Sequence, residues 1–176
     1  MNANGIARFT EDVDATIPGA GLDLDTLVRT FAKNRIAART PDVVAFARQN
    51  QVLLLRHGPS GIDLDVSLAW IPFELEAIQQ AADLRFGTVG IRAARPEDLL
   101  IYKLIANRPQ DQWDAERLLL LFLATIDLDR VRRVLGEIAE HLEGPDRAAV
   151  LKRILGGIRR SSRRATTKAP RPKQRP

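Results

Sequence analysis

The sequence predicts an α+β protein, with a small mixed α/β sheet layer first and a bundle of helices after it. Three observations carry this. Short alternating or apolar strand patterns interleave with helical ones up to about residue 94. From Arg95 onward only helical spacing remains. The composition, 45% apolar and 28% charged over 176 residues, is that of a globular chain with enough length for a sizeable core.

The elements follow in order. Residues 7–17 alternate, with Arg8, Thr10, Asp12, Asp14 and Thr16 on one side and Phe9, Val13 and Ile17 on the other, which is a strand with one polar face. Pro18-Gly19-Ala20-Gly21 breaks it, and Leu24, Leu27, Val28, Phe31 and Ala32 then recur at helical spacing over 23–36. Thr40-Pro41-Asp42 predicts an N-cap, a proline at the first helical position and an acid in the first turn of a short helix toward Gln49. Two apolar strands, 52–56 and 62–69, flank the turn His57-Gly-Pro-Ser-Gly61. A helix over 73–82 and a strand over 88–93 complete the sheet region.

Arg95-Pro96-Glu97-Asp98 starts the helical region, with breaks near Arg108-Pro109, Thr125-Ile126 and Glu143-Gly-Pro145 and an end near Ile158. These patterns divide the chain into a sheet core over 1–94, a helical region over 95–158 and a disordered basic tail over 159–176.

The net charge of +5 is unevenly placed. Eight basic residues and no acid fall within 159–176; without these eight, 19 basic residues face 22 acidic ones, a net charge of −3. Any attraction to polyanions therefore sits mainly in the tail. No apolar run approaches a membrane span, the N-terminus has no signal-peptide pattern, and the absence of cysteine excludes disulfides and cysteine-based zinc sites, so the expected location is the cytoplasm.

The spacing Asp-x-Asp occurs four times, at Asp12/Asp14, Asp23/Asp25, Asp63/Asp65 and Asp127/Asp129. The second and fourth pairs stand at helix starts, where acids cap free amides and offset the helix dipole. The first and third lie within strands, where the period of two aims both carboxylates at one face. Like charges so placed repel unless a cation lies between them, and hard oxygen ligands of this kind suit Mg²⁺ with substrate phosphates. If the two strands are neighbours, Asp12, Asp14 and one of Asp63 and Asp65 can converge on metal and activate an attacking oxygen on a nucleotide phosphate. Lys103 stands at the edge of a helix's apolar face, where an amine can bind triphosphate as a point charge. Asp111 is placed to cap the next helix and Asp114 to pair with Arg108. His57 and His141 have no second histidine or cysteine at ligand spacing, and Ser60 lacks a Gly-x-Ser-x-Gly frame, so none is a catalytic candidate.

Together these segments resemble a family. Gly5-Ile-Ala-Arg8-Phe-Thr10-Glu-Asp12-Val-Asp14 is similar to the Gly-x-x-Arg-x-Thr-x-Asp-x-Asp stretch of the minimal nucleotidyltransferases related to the AbiEii toxins. His57-Gly-Pro-Ser-Gly-Ile-Asp63-Leu-Asp65 with Ile71-Pro-Phe-Glu74 resembles their third-carboxylate strand. Arg95-Pro-Glu-Asp-Leu-Leu-Ile-Tyr-Lys103 with Ala106-Asn-Arg108-Pro-Gln-Asp111-Gln-Trp-Asp114 resembles the Pro-Glu-Asp-Leu…Lys…Ala-x-Arg…Asp-x-x-Asp block that follows. The three occur in the family's order over most of 5–123.

The resemblance implies a polymerase-β-like core in which Asp12, Asp14 and a third acid hold Mg²⁺. Asp65 is the choice over Asp63, because it precedes the Val-Ser-Leu run that matches the family's strand. It implies nucleotide contacts by Lys103, Arg8 and Thr10, with Asp111 and Asp114 supporting that site. The implied reaction transfers a nucleoside monophosphate from an NTP to RNA, in characterised relatives the 3′ end of tRNA, opposed by a separate antitoxin. Family members carry a helix, a strand and a phosphate-cradling Gly-Gly or Gly-Ser turn upstream of the Arg-x-Thr-x-Asp-x-Asp strand. Met1 stands four residues before Gly5, so this comparison predicts either a misassigned start or a trimmed relative, with a catalytically inactive protein- or RNA-binding module as the alternative to the enzyme.

Overall fold

The computed structural model describes residues 12–141 and 144–167, with side chains as far as Ser161 and excepting Phe86. Its described residues form two compact units that divide between Ala94 and Arg95, as mixed α and β structure followed by helices.

In the first unit, a four-stranded sheet runs in the order β1-β4-β3-β2, from β1 (Asp12–Pro18), β2 (Ile36–Ala38), β3 (Val52–His57) and β4 (Asp63–Ala69). β1 is parallel to β4, while β3 is antiparallel to both β4 and β2. The alternation of each strand decides its two faces. Leu53 and Leu55 of β3 lie opposite Val66 and Leu64 of β4. With Leu68, Leu24, Val43 and Ala47 they make the core, packed under α1 (Leu24–Lys33) and α2 (Val43–Asn50). Leu53, Leu55 and Ala47 are fully buried. The residues of the other parity, among them the four strand aspartates, occupy the opposite face.

Local signals place most ends. Asp23 caps α1, its carboxylate accepting from the Thr26 amide at 3.0 Å. The second helix starts later than Thr40-Pro41 suggested, because Asp42 is the N-cap and accepts from the Ala45 amide. Asp and Thr compete for such a position, and the stronger capping acceptor next to the first apolar turn wins. Gly19 is needed for a close approach: its amide bonds Ala69 O at 3.1 Å, and a Cβ there would stand 3.1 Å from that oxygen and 3.2 Å from Leu68 Cβ. β2 and β5 (Ala82–Phe86) were not expected. β2 is too short to show a period, and β5 begins at Ala82, the last residue of the expected helix, which ends earlier as α3 (Pro72–Gln79). β5 pairs with β6 (Val89–Ala93) as a separate two-stranded ribbon.

The second unit holds α4 (Pro96–Ala106), α5 (Pro109–Phe122), α6 (Leu128–Ile138) and α7 (Arg147–Thr167). Prolines at the first positions of α4 and α5 and the Asp127 cap of α6, accepting from the Asp129 and Arg130 amides, set the starts where the sequence indicated them. Leu100, Ile101, Leu104, Leu118, Leu119, Val131 and Leu135 form the core, closed by Val150, Leu151, Leu155 and Ile158 of α7. The basic tail boundary expected at Ile158 is corrected here: α7 continues to Thr167. Arginine and alanine are good helix formers, and a helix already anchored by packing propagates at little cost. Residues 168–176 lie outside the described residues.

Candidate active site

The sheet brings the two strand aspartate pairs together. Asp12 stands opposite Asp63 and Asp14 opposite Asp65 on the adjacent parallel strands β1 and β4. Neighbouring strands are roughly 5 Å apart, so four carboxylates share a small area of one sheet face. Such a cluster needs cations nearby.

Arginines from β3 and from just after β2 supply some of that charge. Arg56 of β3, opposite Asp63 in register, donates from Nε to Asp63 Oδ1 at 2.5 Å and from Nη2 to Oδ2 at 3.1 Å. Arg39, which follows β2, donates from Nη1 to Asp63 Oδ2 at 3.0 Å and from Nη2 to Asp65 Oδ1. The fork from Arg56, helped by the charge of Arg39, holds the Asp63 carboxyl below the usual carboxylate range against the opposing effect of burial. The same bond raises Arg56 above the ordinary guanidinium value. Asp63 is therefore committed to a bidentate arginine. Asp65 is more open, with 37% of its side chain exposed against 23% for Asp63. Among the described residues no three histidine, aspartate or glutamate side chains close on one point.

The donor set suits a divalent cation in kind, since these are hard carboxylate oxygens in register on an open face. Arg8 and Thr10, expected on the same strand face, lie outside the described residues.

In the helical unit, the Asn107-Arg108 turn between α4 and α5 builds the second constellation. Asp111 is fully buried at the third position of α5 and accepts from the Arg108 amide at 3.2 Å, the cap that the sequence indicated. It also accepts from Arg108 Nε at 2.6 Å and from Lys103 Nζ at 3.2 Å. Asp114, one turn on and likewise buried, lies 3.2 Å from Lys103 Nζ. Lys103 is thus fixed by two carboxylates while its side chain keeps 18% of its surface. Burial raises the Asp111 carboxyl, but the bonds from Arg108 and Lys103 outweigh it, so the net shift is downward.

That shift has a sign. A carboxylate whose folded value is depressed stabilises the fold at pH values above its unfolded value, near 4, and loses that contribution as pH falls through the folded one. Asp111→Asn is expected to cost about 1–3 kcal/mol at pH 7 and to flatten the loss of stability below pH 4, read by circular dichroism during acid titration. An unchanged acid transition would contradict the role given to Asp111.

Residues 2–173 match the family described as the nucleotidyl transferase AbiEii toxin of type IV toxin-antitoxin systems. The chain belongs to the AbiEii family. No curated protein sequence matches it significantly. Membership makes this AbiEii-family chain a nucleotidyltransferase toxin of a type IV system by descent, with a nucleotide substrate, a divalent metal and an antitoxin partner as the family's ordinary companions. No helix among the described residues is long and apolar enough to cross a membrane.

Sequence reasoning passed over Arg39 and Arg56. Arg56 had a local signal, since it and Asp63 flank a hairpin seven residues apart; Arg39 had none, because its partners are 24 and 26 residues away.

Proposed function

We propose that this AbiEii-family protein is a Mg²⁺-dependent nucleotidyltransferase that transfers a nucleoside monophosphate from an NTP to RNA, with tRNA as the acceptor, and that a separate antitoxin protein opposes it in the cytoplasm. The observation that carries the reading is the register of Asp12 and Asp14 against Asp63 and Asp65 on adjacent strands.

In this reading Asp12, Asp14 and Asp65 hold the cation. When bound, Mg²⁺ supplies charge to offset the phosphates and to lower the pKa of an attacking hydroxyl. The acceptor hydroxyl forms a bond to the α-phosphorus, the α–β anhydride bond breaks, pyrophosphate leaves, and the hydroxyl proton passes to solvent by way of the carboxylate face. Lys103 contacts the nucleotide as a point charge, and Asp111 and Asp114 position its amine. Arg8 and Thr10 are the further nucleotide contacts that the family resemblance implies.

A second reading, an inactive protein- or RNA-binding module, draws on the arginines that already neutralise Asp63 and Asp65. One assay separates the two. The full-length protein with Mg²⁺, each of the four α-labelled NTPs in turn and total tRNA is expected to place label in RNA. Absence of label with all four would overturn the enzyme reading, and transfer that survives Asp12→Ala with Asp14→Ala would overturn the site.

A further inference from the structure

Arg39 has no place in the scheme above, yet it is the side chain that touches both aspartates of β4. It bridges Asp63 Oδ2 and Asp65 Oδ1, and its own side chain remains 28% exposed. Arg39 also borders a surface concavity of about 500 Å³ lined by Ala37, Ala38, Arg39, Arg56 and Gly58. The small residues leave room there, and its two polar lining side chains are guanidiniums. Guanidiniums present planar donor forks that suit phosphate oxygens as well as carboxylates.

Arg39 holds Asp65 through Oδ1, so its guanidinium and a divalent cation on Asp65 compete for the charge of one carboxylate. Both cannot be fully engaged, so the occupancy of one is linked to the release of the other. Asp63 differs, because Arg56 holds it through both oxygens.

We propose that Arg39 is a place-holding cation of the carboxylate face: it is displaced from Asp65 when the divalent ion binds, and its freed fork then takes a phosphate group of the incoming nucleoside triphosphate beside Ala37, Ala38 and Gly58. The proposal deepens the nucleotidyltransferase reading and rests on it. Arg39 acts twice, with opposite signs. It weakens metal binding in the absence of nucleotide and strengthens binding of the metal–nucleotide complex.

The opposed signs supply the test. Binding of Mn²⁺ alone to the full-length protein is followed by the loss of the free-ion electron paramagnetic resonance signal, and binding of Mg²⁺–ATP at saturating Mg²⁺ by calorimetry. Arg39→Gln is expected to tighten Mn²⁺ about fivefold, the order set by one partly exposed ion pair, and to weaken Mg²⁺–ATP about tenfold. Arg39→Lys, which keeps the charge but not the fork, is expected to restore most of the Mn²⁺ competition and little of the nucleotide affinity. Arg56→Gln is expected to move Mn²⁺ less than Arg39→Gln does.

Weaker binding of both ligands in a folded Arg39→Gln protein would mean a structural brace, and tighter binding of both a simple competitor; either overturns the proposal. Equal Mn²⁺ shifts in the Arg39 and Arg56 variants would also overturn it. Loss of Mn²⁺ binding in Asp14→Asn with no change in Arg39→Gln sinks this inference alone, whereas Mn²⁺ binding indifferent to Asp14→Asn sinks the metal-site reading beneath it.

Discussion

Asp14→Asn is expected to lower the rate of nucleotidyl transfer about 10³-fold or more, about 4 kcal/mol of transition-state stabilisation. The substitution keeps the shape of the side chain and removes one charge from a face on which Asp14 stands opposite Asp65. A carboxamide is a poorer ligand for a hard divalent cation than a carboxylate, so the loss is expected in kcat and to be relieved only in part by more Mg²⁺. The matching control is Asp25→Asn. Asp25 belongs to a pair of identical spacing, but stands in the first turn of α1 behind the Asp23 cap. It is expected to leave transfer within about twofold and to cost stability of only about 0.3–1 kcal/mol through the helix dipole. Equal losses in the two variants would remove the distinction between strand and helix-start pairs.

The largest expected effect on stability is at Asp98. Its side chain is fully buried, accepts from Arg130 Nη1 at 2.7 Å and from Arg95 Nε at 3.1 Å, and thereby ties α4 to α6. Arg130 keeps only 8% of its surface. Asp98→Ala removes one side of this buried pair, and breaking such a pair costs about 3–5 kcal/mol. The loss is expected in urea unfolding followed at the helical circular dichroism band, and as faster amide exchange across α4 and α6. Replacing both partners by apolar residues, Asp98→Leu with Arg130→Met, is expected to recover most of it, since the penalty comes from breaking one side of a buried ion pair. A loss under about 1 kcal/mol in Asp98→Ala would contradict this.

Asp98 also shows how sequence reading divides a motif. Pro96-Glu97-Asp98 reads correctly as a helix start with acids in its first turn. Nothing in that spacing tells a surface acid favouring the dipole from a buried one clamped by an arginine 32 residues away. Similarly, Asp111 was legible as a cap, because the cap bond joins residues three apart. Its bond to Lys103 joins two helices across a turn and depends on how α4 and α5 pack.

The sequence by itself determined the class of the fold, the polar face of β1, the separation of strand aspartates from helix-capping ones, and the starts of the helices marked by Pro96, Pro109 and Asp127. These rest on periods and caps that a few consecutive residues express. Tertiary structure alone decided that β1 lies beside β4 in a register that sets Asp12 against Asp63 and Asp14 against Asp65. It also decided that Asp63 is held by Arg56 while Arg39 spans both aspartates of β4, and that a three-residue strand, β2, leads into Arg39. Strand neighbours and ion pairs are chosen by burial of the opposite face and by charge compensation between distant segments. Those forces act only once the chain is folded, which is why two strand pairs that stand 51 residues apart in the chain became one shared carboxylate face.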